Sequence, residues 1–143
     1  MKEYQLLQKL DRSLQAFRLS GVYKRSQTKL SDADIMVMFC VAFCDTNQRL
    51  KLTDVAKTLR VTLPAVTHKV NDLVAKKYLE KEVSHKDLRV TFIRLTPEGK
   101  AFVESIRDEY YQPLKSLVDY LGQEDTESLM RILDKISAMG KIA

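Results

Sequence analysis

An acidic and a basic residue two positions apart, Asp87 and Arg89, form the pair whose types and spacing most clearly suggest chemistry. They lie between two short stretches of alternating polarity, 80–83 and 90–95, joined by polar residues from position 84, as is typical of a β-hairpin. An arginine at such a tip can enter a narrow DNA minor groove, and the nearby carboxylate can orient its guanidinium through a forked ion pair. The alternative is an ordinary surface ion pair, worth less than about 1 kcal/mol.

A second group of candidate residues begins the helix predicted after Thr62. The Thr62 hydroxyl can cap this helix, and Pro64 suits its first turn because no backbone N–H is needed there. A shorter helix starting at Thr53 precedes it across a tight connection, so the two form a helix-turn-helix, whose second helix enters the DNA major groove. The residues predicted to contact DNA are Thr62, Leu63, Pro64, Ala65, Thr67, His68 and Lys69 on the helix, and Lys86, Asp87 and Arg89 on the hairpin.

The chemistry of this predicted recognition helix is modest. Threonine hydroxyls can bond phosphates or bases, and Pro64 and Ala65 can touch a thymine methyl group. His68 can donate to a guanine acceptor or a phosphate, and the alternative is an ordinary exposed histidine. Because neither Arg nor Asn occupies these positions, part of the sequence preference is expected to come from DNA shape.

The remaining pattern predicts a mainly α-helical chain with one small β-hairpin (α+β), arranged as a winged helix-turn-helix. Apolar residues recur at helical spacing over 7–17 and 129–139, and a central helix that is apolar on every side is predicted over about 32–45. Pro113 is expected to kink a long helix that Gly122 ends. We expect a single domain over 1–143, with a DNA-binding lobe at 31–99 and dimerisation helices at 1–20 and 100–143.

The basic charge of the chain is concentrated in one segment. Residues 51–100 contain 11 Lys or Arg against 6 Asp or Glu, whereas the rest contain 13 of each, so the net charge of +5 lies in this segment. That distribution is the electrostatic footprint of a phosphate-binding surface, although an uneven solvated face is the alternative. The sequence has no secretory signal pattern and no apolar run long enough to span a bilayer, so we expect a cytoplasmic protein without a membrane partner.

Several of these motifs together resemble the MarR family of bacterial transcriptional regulators. They are Leu52-Thr53, Val66-Thr67-His68, Lys77-Tyr78-Leu79, Asp87-Leu88-Arg89 and Leu95-Thr96-Pro97-Glu98-Gly99. The motifs all lie in the predicted DNA-binding half of the chain. Outside that half, only the order of the predicted elements agrees with the family. The resemblance implies a homodimer interlocked by its terminal helices. It also implies release from DNA by a small, frequently aromatic and anionic effector. By position, the residues predicted to line an effector cleft are Phe17, Tyr23, Met36, Phe39, Phe43 and Phe102, and the alternative is that they are core.

The predicted function is that of a sequence-specific double-stranded DNA-binding regulator, a homodimeric repressor that reads a pseudo-palindromic operator. The alternative is a winged-helix module that binds protein without contacting DNA. Neither a catalytic arrangement nor a phosphate-binding glycine loop occurs, so the chain is predicted not to be an enzyme. Its histidines, His68 and His85, both fall on the predicted DNA-facing surfaces, so no metal and no cofactor are expected. Cys40 and Cys44 are predicted to be reduced and buried.

Overall fold

The computed structural model of this protein describes residues 2–23, 29–44 and 49–140. Within these ranges the elements are α1 (Lys2–Ser20), α2 (Asp32–Cys44), β1 (Leu50–Lys51), α3 (Leu52–Leu59), α4 (Leu63–Ala75), β2 (Leu79–Val83), β3 (Thr91–Leu95) and α5 (Pro97–Gly140). Contacts divide the chain into two compact units, one spanning 27–108 and the other combining 1–26 with 109–143. The predicted fold class, mainly α-helical with a small antiparallel sheet, is confirmed.

The core of the 27–108 unit forms around α2. Its side chains from Ile35 to Val41 are buried except Met36, because α3, α4 and β3 all pack against this helix. From α4, the apolar arc that the sequence predicted contributes Val66, Val70 and Leu73, each at most 1% exposed. A helix that is apolar on nearly every side thus occupies the centre, as predicted.

The sheet has three antiparallel strands in the order β1-β3-β2. Strands β2 and β3 form the predicted hairpin, with Leu79 opposite Leu95 and Val83 opposite Thr91. The sequence did not predict β1, which pairs Leu50 with Ile93. This strand is only two residues long, so it carries no alternating pattern and exists through its pairing with β3.

The exit from the sheet into α5 is closely fixed by Thr96. Its hydroxyl donates to the Lys77 carbonyl oxygen at 2.6 Å and accepts from the Gly99 N–H at 2.9 Å, which caps the helix as predicted. The backbone angles of α5 are non-helical at Gly122 (φ 81°, ψ 169°), where the sequence predicted a helix end, and they remain helical at Pro113, where it predicted a kink.

Helix α1, in the other unit, exposes its apolar stripe. None of its side chains is buried, and Leu7, Leu10, Leu14 and Phe17 are 51–56% exposed. The C-terminal part of α5 likewise exposes Leu133 and Ile136. Across the described ranges, no helix is both long enough and apolar enough to span a membrane.

Candidate nucleic-acid interface

The N-terminal end of α4 is exposed while its opposite face is packed. Leu63, Pro64, Ala65 and His68 are exposed, whereas Thr67 is half-buried. The turn before this helix is tight because Arg60 adopts a left-handed conformation (φ 58°, ψ 43°) and ends α3. This geometry leaves the first turn of α4 accessible, as a recognition helix requires.

Two threonine hydroxyls at this end are already engaged within the helix. Thr62 Oγ1 accepts from the Ala65 N–H at 3.3 Å, and Thr67 Oγ1 donates to the Leu63 carbonyl oxygen at 2.8 Å. A hydroxyl has one proton and two acceptor sites, so Thr62 can still donate to a phosphate, whereas Thr67 in this conformation offers only acceptors. Acceptors suit the exocyclic amino groups of adenine or cytosine.

The two residues after Thr67, His68 and Lys69, each lie close to an acidic side chain of the protein. His68 Nε2 lies 3.6 Å from the Asp72 carboxylate on the next turn of α4, and 76% of the histidine side chain is exposed. Lys69 Nζ lies 3.6 Å from Asp34 Oδ1 on α2. The Lys69 side chain is therefore engaged with α2.

The hairpin tip, residues 84–90, is organised by its own hydrogen bonds. Ser84 Oγ accepts from the N–H groups of Lys86 and Asp87, both at 3.2 Å. Ser84 N–H donates to the Val90 carbonyl oxygen, and Val90 N–H donates to the Asp87 carbonyl oxygen, both at 2.9 Å. Sequence reasoning did not assign Ser84 this role, although a serine at the start of a polar turn is a known signal for it.

Asp87 and Arg89 form the predicted ion pair with a different geometry. One carboxylate oxygen, Asp87 Oδ1, accepts both the Arg89 backbone N–H at 3.0 Å and the Nε–H at 3.1 Å, so the pair is not a forked one. The Arg89 side chain is 91% exposed. The four remaining N–H donors of its guanidinium lie on the two Nη atoms, which suits contact with an external acceptor.

The Arg89 N–H groups hold the pKa of Asp87 below its ordinary value of 3.8, and the backbone N–H contributes more than the side chain. Because the pKa is lowered on folding, the bonds to the carboxylate stabilise the tip fully at pH values above the pKa of the unfolded chain. This stabilisation is lost as the pH falls through the pKa of the folded protein. We therefore expect a carboxyl ¹³C NMR titration to place the Asp87 midpoint below 3.8. In Arg89→Ala the midpoint should rise only partly, because that variant keeps the amide donor. A wild-type midpoint at or above 3.8 would contradict the observed hydrogen bonds.

A shallow groove connects the hairpin to the start of α4. It is lined by Lys51, Leu52, Thr53, Leu63, Arg89, Val90 and Thr91. The groove thus brings the predicted residues Leu63 and Arg89 next to Lys51 and Thr53, which sequence reasoning did not include. These two residues flank the junction of β1 and α3, and they were missed because β1 was not predicted.

Four further polar contacts brace the sheet. Lys81 on β2 donates to the Asn71 side-chain oxygen on α4, which ties the hairpin to that helix. On the other face of the sheet, Arg94 lies 3.4 Å from Glu80 and 4.0 Å from Glu82, and Arg49 lies 3.6 Å from Glu82. The arginines of this face are therefore engaged with neighbouring acids.

The structure distributes the predicted effector residues over several places. Phe39 is buried and stacks on Phe43, with ring centroids 5.5 Å apart, and Phe102 packs against Tyr78 at 5.0 Å with Lys29 above both rings. Phe39 thus fits the alternative interpretation as core. The more exposed members of the set are Phe17, Tyr23, Met36 and Phe43, of which the first two belong to the other unit.

The prediction that both cysteines are buried is correct for only one of them. Cys40 is buried as expected, and burial together with the adjacent Cys44 raises the pKa of its thiol to about 12, so it is protonated at neutral pH. Cys44 is exposed, and its predicted burial was wrong. The reason is its place as the last residue of α2, where burial has already decreased along the helix from Val41. Among residues 2–23, 29–44 and 49–140, no three His, Cys, Asp or Glu side chains form a cluster that could hold a metal ion.

Comparison with known proteins identifies the family. The sequence model described as "Transcriptional regulator SarA/Rot" matches residues 20–106, which is more than half of the chain and includes both α4 and the hairpin. The chain belongs to the SarA/Rot family of transcriptional regulators. This SarA/Rot protein is therefore a regulator, and the prediction that it is not an enzyme agrees with its family.

Individual proteins are similar to this chain in sequence or in fold. An uncharacterised helix-turn-helix transcriptional regulator of Bacillus subtilis, YdgJ, is 22% identical over 119 residues, which cover 83% of this chain and 71% of YdgJ. The structure of S. aureus MepR in complex with DNA is similar, with a TM-score of 0.66 and 24% identity over 97% of this chain and 93% of that one. The structure of BpsR of Bordetella bronchiseptica is similar too, with a TM-score of 0.64 and 25% identity over 93% of this chain and 98% of BpsR. The winged helix-turn-helix fold predicted from the sequence pattern is confirmed.

Proposed function

We propose that this SarA/Rot protein binds double-stranded DNA with the exposed first turn of α4 in the major groove and Arg89 in the adjacent minor groove. The observation that carries this proposal is the shared groove in which Leu63 at the start of α4 lies beside Arg89. The basic excess of residues 51–100 supplies the phosphate attraction. MepR, which has the same fold, was crystallised with DNA.

We propose further that the binding unit is a homodimer. The support is the apolar stripe of α1, whose Leu10 and Leu14 are more than half exposed, together with the exposed Leu133 and Ile136 of α5. A second copy of the chain is an occupant that matches these stripes, because the same apolar helices can cover one another across a two-fold axis. Two recognition helices would then read half-sites about 10 bp apart, or a multiple of that, in a pseudo-palindromic operator.

Repression and effector release complete the proposal. A dimer seated on a promoter excludes other proteins from the same DNA, so repression is the expected outcome of operator binding. Effector control is supported by analogy with BpsR, whose DNA binding is regulated by 6-hydroxynicotinic acid, an aromatic acid. A thermal-shift screen with aromatic carboxylates, followed by a DNA-release assay, tests this part. Stabilisation by none of them would contradict it.

The decisive test of DNA binding is a fluorescence anisotropy titration of a labelled random-sequence duplex at several salt concentrations. We expect the dissociation constant to rise about a thousandfold between about 50 and 200 mM salt, as roughly six phosphate contacts imply. Sedimentation of the complex should give two chains per duplex. Weak, salt-independent binding would reject the proposal and leave the protein-binding module as the interpretation. One chain per duplex would reject the dimer alone.

A further inference from the structure

The strongest unassigned feature of the 27–108 unit is an ion pair between α2 and α4. Asp34 lies in the first turn of α2, and its side chain is only 10% exposed, while Lys69 of α4 is 35% exposed. Asp34 Oδ1 is buried, and within the described residues it accepts no hydrogen bond. The Lys69 ammonium, 3.6 Å away, is its charge partner.

The surroundings of this pair give it a specific role. The rest of the packed face of α4 is apolar, with Val66, Val70 and Leu73 buried. Apolar contact is non-directional, so it favours burial without fixing how far a helix rotates about its axis. A buried carboxylate is poorly tolerated without its counter-charge, so the pair favours the rotation that brings Lys69 to Asp34. His68, the next residue, is 76% exposed in that rotation.

We propose that Asp34 is a positioning residue for sequence-specific DNA recognition, acting through Lys69 to set the rotation of α4. This inference rests on the proposed DNA binding. It also reassigns Lys69, which the sequence alone placed among the DNA contacts, from a phosphate contact to an internal brace. Asp34 itself touches no DNA in this arrangement, because it is buried.

The substitutions D34N and K69M separate the two roles of Lys69. D34N keeps the side-chain shape and the backbone N–H that donates to Ser31 Oγ at 3.2 Å, so the start of α2 stays capped. K69M leaves a buried carboxylate without its partner, and the double variant D34N/K69M restores a neutral pair. K69R keeps the positive charge and is the conservative control. Thermal melting by circular dichroism gives the folded fraction of each protein.

The readout is the ratio of dissociation constants for a random duplex and for a duplex selected from a random pool. A change in rotation of α4 moves side chains off base edges but leaves the overall charge attraction, so D34N should lower this ratio about tenfold. A loss of folded protein would weaken binding to both duplexes equally and leave the ratio of dissociation constants unchanged. K69R should retain the wild-type ratio. The ratio for D34N/K69M should not fall below that of the less specific single variant, because the two residues act as one unit.

The salt dependence distinguishes positioning from direct contact. If Lys69 contacted a phosphate, K69M would reduce the slope of log affinity against log salt by about 0.9 per protomer, whereas the brace predicts no change in slope. A reduced slope in K69M, or an unchanged specificity ratio in D34N, would overturn this inference while leaving DNA binding intact. Salt-independent binding by the wild-type protein would instead overturn the proposed function, and this inference with it.

Discussion

Replacing Arg89 with alanine is expected to weaken duplex DNA binding by about 10- to 100-fold at moderate salt, while the melting temperature stays within a degree or two. The large effect on affinity follows from losing a guanidinium that is 91% exposed and anchored through Nε to Asp87. A well-placed arginine contact contributes about 1–3 kcal/mol to binding. Folding should be unaffected because an exposed ion pair contributes little to stability. Fluorescence anisotropy with a labelled duplex measures the affinity.

A matched control for this variant is Arg94→Ala, on strand β3 of the same hairpin. Arg94 is 61% exposed, but its guanidinium is engaged with Glu80 and Glu82. Both substitutions remove one positive charge, so a difference between them reports position rather than net charge. We expect Arg94→Ala to change the affinity less than about threefold, as surface charge alone would. Equal losses in the two variants would mean that Arg89 acts only through general electrostatics, and an unchanged curve for Arg89→Ala would remove the hairpin from the mechanism.

Gly99→Ala is expected to destabilise the 27–108 unit by about 3 kcal/mol, which lowers the melting temperature by about 12–24 °C for a unit of this size. A Cβ atom at position 99 would lie 2.1 Å from the Tyr78 carbonyl oxygen. That oxygen cannot easily move, because it accepts the Thr96 N–H at 3.0 Å. The first turn of α5 would have to separate from the turn before β2. Thermal melting monitored by circular dichroism measures the loss.

Gly140→Ala provides the control for this substitution. Gly140 is the last residue of α5, and an added Cβ there would meet nothing within 4 Å. Alanine also has a higher helix propensity than glycine, so the melting temperature of the Gly140→Ala protein should be unchanged or slightly higher. If the Gly99→Ala protein melted at the wild-type temperature, the Tyr78 carbonyl could be displaced without loss of stability, and the prediction would be wrong.

The parts of the fold that the sequence predicts correctly are those decided by local interactions. Thr62 and Thr96 cap the helices that follow them, and each does so through a bond to a residue three positions ahead. The alternating pattern located the hairpin, and the apolar arc of α4 identified its packed face. In each case the deciding residues are near neighbours in the chain, so their types and spacing carry the information.

The features that the sequence did not predict depend on distant partners. Strand β1 exists through Leu50 pairing with Ile93, and Lys69 faces α2 because Asp34, 35 positions earlier, lies there. Cys44 was predicted to be buried from an apolar run alone, yet burial depends on how far the neighbouring elements extend along the helix. A pattern of residue types gives the period of an element, whereas its partners are set by the tertiary arrangement.

The self-contained hydrogen bonding of the hairpin tip has a consequence for the thermodynamics and rate of DNA association. Ordering a flexible loop on binding would cost roughly 1 kcal/mol of backbone entropy for each residue fixed. Here the Ser84 and Asp87 side chains already hold the tip before DNA arrives. Contact with the minor groove would therefore require little conformational search, and the tip can engage DNA in the conformation it has in the free protein.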